Sequence, residues 1–143
     1  MAEPLPVILC GKTEKIGETV IATLKPEFEV IHFVMTPESG AVQIPALLRG
    51  ETDVPFDSEL GSKDYSRGIA AIILGGGYED AGIYLMREAA KGIKSVPWLR
   101  PDLSKPAPPL GPEYGKAMVE RIKVTVKELQ DKGTMSEDAM VYY

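Results

Sequence analysis

Three observations in the sequence predict an α/β fold, a small three-layer sandwich whose parallel sheet has four to five strands. Short apolar runs recur at Val7–Cys10, Phe28–Met35, Ile69–Leu74 and Ser95–Leu99. Segments of helical periodicity separate them, and strands that alternate with helices imply a parallel sheet covered on both faces. Two of the runs end directly in glycine, at Gly11 and at Gly75-Gly76-Gly77. With 143 residues, the chain is expected to form one domain, 1–143, large enough to build a core without disulfides.

Val7 to Cys10 reads as a strand buried on both faces and ended by Gly11. A helix from about Ile16 to Leu24 sets Ile16, Val20, Ile21 and Leu24 on one face. Lys25-Pro26 stops it, since proline cannot extend a helix. Phe28 to Met35 is the second strand, near-continuously apolar as a strand covered on both faces should be. Thr36 to Gly40 reads as a turn, followed by a weaker helix from about Ala41 to Arg49 with Pro45 near its start.

Gly50 to Gly68 is polar and long for a connection without structure of its own. The expectation is a short edge strand around Asp53–Phe56, or a loop with a structural or partner-contact role. A right-handed crossover delivers the chain to the base of the sheet, so this loop starts on the side away from a ligand site. Ile69 to Leu74 is the third strand. A helix from about Glu79 to Lys91 should turn Ala81, Leu85, Met86, Ala89 and Ala90 inward, with Gly92 as its C-cap. Ser95 to Leu99 is the fourth strand. A proline-rich flap, 101–112, leads to a helix over 113–132, with Pro112 suited to the first helical position. That helix buries Met118, Val119, Ile122, Val126 and Leu129, and Gly133 ends it. The tail, 134–143, closes on the apolar Met140-Val141-Tyr142-Tyr143, fit to pack on the domain or on a neighbour's sheet edge.

Composition excludes several functions. The net charge of −5 argues against a nucleic-acid binder, which needs a basic stripe. No apolar run reaches the length of about 18 residues that a membrane span requires. MAEPLP has neither the basic flank nor the apolar core of a signal peptide. A lone cysteine, Cys10, fits a reducing, cytoplasmic location. With one histidine, His32, and one cysteine, no zinc site of the usual ligand set forms, and no metal is expected. His32 lies inside the second strand, where a hydrogen-bonded core histidine is the plain expectation. Gly11-Lys12-Thr13 ends like a P-loop, but the glycine required five positions earlier would be Pro6.

The simplest strand order is second, first, third, fourth. Both glycine loops then flank the switch point, where ligands bind beyond the strand carboxyl ends. Gly11-Lys12-Thr13-Glu14-Lys15-Ile16-Gly17 resembles the G-x-x-G-x-x-G turn of atypical short-chain dehydrogenase/reductase domains. The passage Met86 to Pro97, MREAAKGIKSVP, is similar to the helix-to-strand passage of NmrA-like members of that family. Gly75, Gly76 and Gly77 sit where the family has the loop lining the nicotinamide side. The resemblance covers roughly residues 5–100. It implies a Rossmann-like fold and NADP or NAD as cofactor, with Gly11, Lys12, Thr13, Lys15, Ile16, Gly17 and Gly75–Gly77 as the residues that contact it. Three departures count against a working reductase. Glu14 stands where the middle glycine admits the pyrophosphate. The second strand ends Phe33-Val34-Met35-Thr36, with no carboxylate for a ribose hydroxyl. No tyrosine is followed four residues later by lysine.

The leading expectation is therefore a small protein on the NAD(P)-binding scaffold, with weak or lost (di)nucleotide binding and no complete reductase site. Its ligand would be a small nucleotide or similar anion. A second reading is a non-catalytic homo-oligomer, such as a homodimer, or a partner-binding protein using the 50–68 loop, the flap and the tail. A third is a small-molecule enzyme working near Trp98, Arg100 and Asp102, which leave the carboxyl end of the fourth strand. There Trp98 would offer a stacking face and Arg100 a fork for a carboxylate or phosphate, unless Trp98 caps the core and the other two pair locally.

Overall fold

The structure, a computed structural model, describes residues 3–109 and 111–143. The elements run β1 (Leu5–Cys10), α1 (Glu14–Leu24), β2 (Phe28–Val34), α2 (Pro37–Leu48), β3 (Ala71–Leu74), α3 (Asp80–Ala89), β4 (Trp98–Arg100), α4 (Pro112–Lys132) and β5 (Met140–Tyr142). All strand pairs are parallel, in the order β2-β1-β3-β4-β5. The result is a small Rossmann-like three-layer sandwich. Side chains alternate across the strands, so the sheet divides two cores. Ile8, Ile72, Leu74 and Trp98 pack with Ile44, Ile83 and Met86 of α2 and α3. Val7, Leu9, Ile73 and Leu99 pack with Val20, Val119, Ile122 and Val126 of α1 and α4.

The expected turn at Thr36–Gly40 is the first turn of α2. Thr36 is its N-cap, accepting a hydrogen bond from the Ser39 N–H at 3.1 Å, and Pro37 occupies the first helical position. Gly40 reads as a turn signal but serves close packing: a Cβ there would lie 2.3 Å from Met86 Sδ. Gly82 of α3 does the same against Pro37, where a Cβ would meet Cγ at 2.6 Å. The two helices approach through their glycines. Pro45 accordingly lies inside α2 and is buried there.

The inward face of α3 is Ile83, Met86 and Ala90, whereas Ala81, Leu85 and Ala89 face solvent. The long apolar Ile83 sets that face, and the alanines read equally well on either side. β4 begins at Trp98, later than Ser95, because Pro97 offers no N–H to a strand ladder. The tail's Met140–Tyr142 adds β5 to the chain's own sheet.

No helix or strand forms between residues 49 and 70, so the edge strand expected at 53–56 is absent. The loop instead climbs the outer edge of β2. The N–H groups of Ser62 and Lys63 donate to Val30 O and Ile31 O at 2.9 and 2.8 Å. They meet β2 where its register against β1 slips, Val7 facing Val30 but Ile8 facing His32. Gly61 makes this docking possible. Its φ is +93°, and a Cβ would sit 3.0 Å from the backbone of Ile31 and His32. Gly50 has a similar φ of +90° but open space around it. Gly61→Ala should cost about 1–3 kcal/mol in urea unfolding, and more than Gly50→Ala. Equal costs would show that backbone conformation alone, and not contact with β2, requires the glycine.

Candidate functional site

The first glycine loop joins β1 to α1. The Gly11 N–H donates to Val34 O at 2.9 Å, which ties the loop to β2. The Phe33 ring lies under the loop: a Cβ on Gly17 would lie 2.7 Å from its Cε1 and Cζ, and one on Gly11 3.0 Å from Cζ. Both glycines therefore admit an aromatic ring. Thr13 stands at the N-cap position in extended conformation without capping α1 through its side chain. The first-turn N–H groups of α1 lack that partner. Glu14 is turned aside, its carboxylate accepting a hydrogen bond from Ser58 Oγ of the 49–70 loop at 2.6 Å.

The second loop, Gly75–Gly77, is shaped by three close approaches. A Cβ on Gly75 would meet Cys10 O at 3.1 Å, one on Gly76 the Tyr114 hydroxyl at 2.8 Å, and one on Gly77 Lys12 Cγ at 2.8 Å. Tyr78 locks this loop to the first, its hydroxyl 3.1 Å from both Gly11 O and Val34 O. Burial holds that phenol protonated by pushing its pKa up. The Lys12 ammonium rests 4.6 Å above the Tyr78 ring centroid.

Between the loops opens a cavity of about 390 Å³. It descends between α1 and α4 to the sheet. α1 contributes Ile16, Gly17 and Val20, and α4 contributes Tyr114, Gly115, Met118 and Ile122. Leu9, Phe33 and Tyr143 line its sheet side. The Tyr143 hydroxyl donates to Leu74 O at 2.6 Å. Cys10 borders the cavity from β1, but its side chain packs in the layer of α2 and α3, where burial raises its pKa.

Of the residues expected at the site, Gly11, Lys12, Thr13, Ile16, Gly17 and Gly75–Gly77 all line this cavity, and Lys15 does not. Trp98, Arg100 and Asp102 lie elsewhere. Trp98 is 2% exposed in the core layer of α2 and α3, with the Arg87 guanidinium 5.5 Å from its ring centroid. Arg100, two residues on and so on the same sheet face, pairs with Asp80 at 2.8 Å. Asp102 accepts hydrogen bonds from Ser104, which hold its carboxyl below the usual range. Strand parity puts the first two on the wrong face of the sheet. Tyr114, Met118, Ile122, Val20, Phe33 and Tyr143 are lining residues that the sequence reading left in the core or unassigned. The signal available was Gly115 on the apolar face of α4, a residue with no side chain to fill the space toward α1.

His32 is fully buried, away from the cavity. The Tyr65 hydroxyl donates to its Nδ1 at 2.8 Å, and its Nε2–H donates to Gln43 Oε1 at 2.7 Å. Gln43 Nε2 in turn donates to Asp57, which fixes the amide orientation and hence the imidazole tautomer. Burial is the main cause that lowers the His32 pKa, keeping it neutral in the fold. The unfolded chain takes up the proton first as pH falls below about 6.5. Stability should thus be full above that pH and decline below it, towards the lower folded pKa. Thermal melts between pH 7.5 and 5 should show this slope, and His32→Gln should flatten it.

No protein-family profile matches the chain, and no solved structure matches it. The chain is 39% identical over 140 residues to "Kojic acid related protein 6" of Aspergillus oryzae (strain ATCC 42149 / RIB 40). That match covers 94% of this chain and 83% of the relative.

Proposed function

The chain belongs to the same family as kojic acid related protein 6, and on the geometry of its cavity we propose that it is a small-molecule-binding protein. Its scaffold is of the NAD(P)-binding type, with dinucleotide binding weak or lost. The observation that carries this reading is the cavity itself, about 390 Å³, roofed by both glycine loops and walled by α1 and α4. Its size falls in the lower part of the range of small-ligand sites, about 300–1,000 Å³.

Three features argue against a bound dinucleotide. Gly11 and Gly17 are small because Phe33 packs beneath them, so the glycine pattern has a cause other than a pyrophosphate. β2 leads into Met35-Thr36, without an acid for a ribose hydroxyl. The reductase pair of tyrosine and lysine is missing from the sequence. A mononucleotide keeps some support, since α1 has an open first turn, Lys12 is at the mouth and Glu14 is held away by Ser58.

A thermal-shift panel of NADPH, NADP, NAD, AMP, phosphate and kojic acid (the compound in the relative's name) tests the reading. The dinucleotides should leave the melting temperature unchanged. A small ligand at about one hundred times its Kd should add about 2.7 kcal/mol, a rise of about 5–10 °C. A rise of that size with a dinucleotide would overturn the proposal.

A homodimer is the second reading, and exposed apolar side chains on adjacent helices favour it: Val42 of α2 at 60% exposure, and Tyr84 and Leu85 of α3 at 67% and 43%. Light scattering should then give twice the mass of one chain, and a monomer at all working concentrations would exclude it.

A further inference from the structure

The cavity is apolar at its inner end and rich in hydrogen-bonding groups at its mouth. Leu9, Val20, Phe33, Met118 and Ile122 line the inner part. The Tyr143 hydroxyl is bonded to Leu74 O and so is unavailable to a ligand, and the Cys10 thiol lies in the opposite core layer. A polar group placed there would lose its water without a replacement partner. The mouth is different. Thr13 and Tyr114 line the cavity, the Tyr114 hydroxyl beside Gly76, and among the described residues neither hydroxyl donates to a protein acceptor. The N–H groups of the first turn of α1 open beside them, with Lys12 adding positive charge.

Depth narrows the class further. α1 and α4 both start at the carboxyl edge of the sheet, on the same face. From Thr13 to Val20 the α1 wall runs about 10 Å, and from Tyr114 to Ile122 the α4 wall runs about 12 Å, at 1.5 Å per residue. Met118, unbranched and adaptable, stands halfway along the second wall.

We infer that the ligand is a medium-chain monocarboxylic acid. Its carboxylate lies at the mouth, accepting from Thr13, Tyr114 and the first-turn amides of α1, and its alkyl chain descends between α1 and α4. This rests on the small-ligand reading above and names the class of ligand.

Calorimetric titration of the full chain with butyrate, hexanoate, octanoate and dodecanoate, with octanol, AMP and kojic acid as controls, tests it. Affinity should rise about fourfold per methylene, roughly 250-fold from butyrate to octanoate, and then level off as the slot fills. Octanol, lacking the carboxylate, should bind at least about tenfold more weakly than octanoate. Val20→Phe, which fills the slot, should abolish octanoate binding while the melt stays cooperative; Met118→Phe serves if that variant does not fold. A flat length series, or octanol as tight as octanoate, would overturn the inference. If AMP or kojic acid binds, Val20→Phe blocks it and no acid binds, the cavity stands as a ligand site and the acid class falls. If nothing binds, both fall.

Discussion

The Phe33 ring sits directly beneath the first glycine loop, and much of the site depends on that contact. β2 delivers the ring to the face shared by α1 and α4. It occupies the space that side chains on Gly11 and Gly17 would need. The N-terminal turn of α1 is thereby held close to β2, at the far side of the helix from α4. Ser58 and Leu60 of the long loop extend the same hold, one bonded to Glu14 and the other within 3.2 Å of where a Cβ on Gly17 would lie. The loop that begins at the base of the sheet thus braces the first turn of α1 at its top.

This arrangement explains how much of the protein could be read from its sequence. The strand order and parallel sheet were legible, because buried parallel strands leave continuous apolar runs and their helices keep a helical period. The loops were legible as places, since Gly11–Gly17 and Gly75–Gly77 do meet at the switch point. Their cause was not. A glycine that admits a pyrophosphate and a glycine that admits Phe33 are the same letter. Gly40 shows the same ambiguity in α2, where a glycine after Thr-Pro-Glu-Ser suggests a turn and the actual reason is Met86 on another helix. Trp98 and Arg100 show a different limit. β4 starts at Trp98, so only Arg100 lies at its carboxyl end, and which sheet face the two take depends on register, which a strand this short does not reveal.

The cavity's persistence has a mechanical basis. Two helices lined by Ile16, Val20, Met118 and Ile122 would be expected to close on one another, burying that apolar surface. Each is held from elsewhere. α1 is set by Phe33 and by the Ser58–Glu14 hydrogen bond. α4 is set by Arg121, whose guanidinium donates to Tyr143 O at 2.8 Å and to Asp102 O at 3.2 Å, fixing it to β5 and the start of the flap. Tyr143 is held in turn by its hydroxyl on Leu74 O at the end of β3. Gly115, where a Cβ would come within 3.8–3.9 Å of Thr19 and Val20, leaves the space between the helices unfilled. For the proposed ligand, walls fixed in this way would leave little binding free energy lost to ordering the protein. A packing defect in a core of this kind would relax, whereas this cavity is braced on both sides, as the proposed small-molecule function requires.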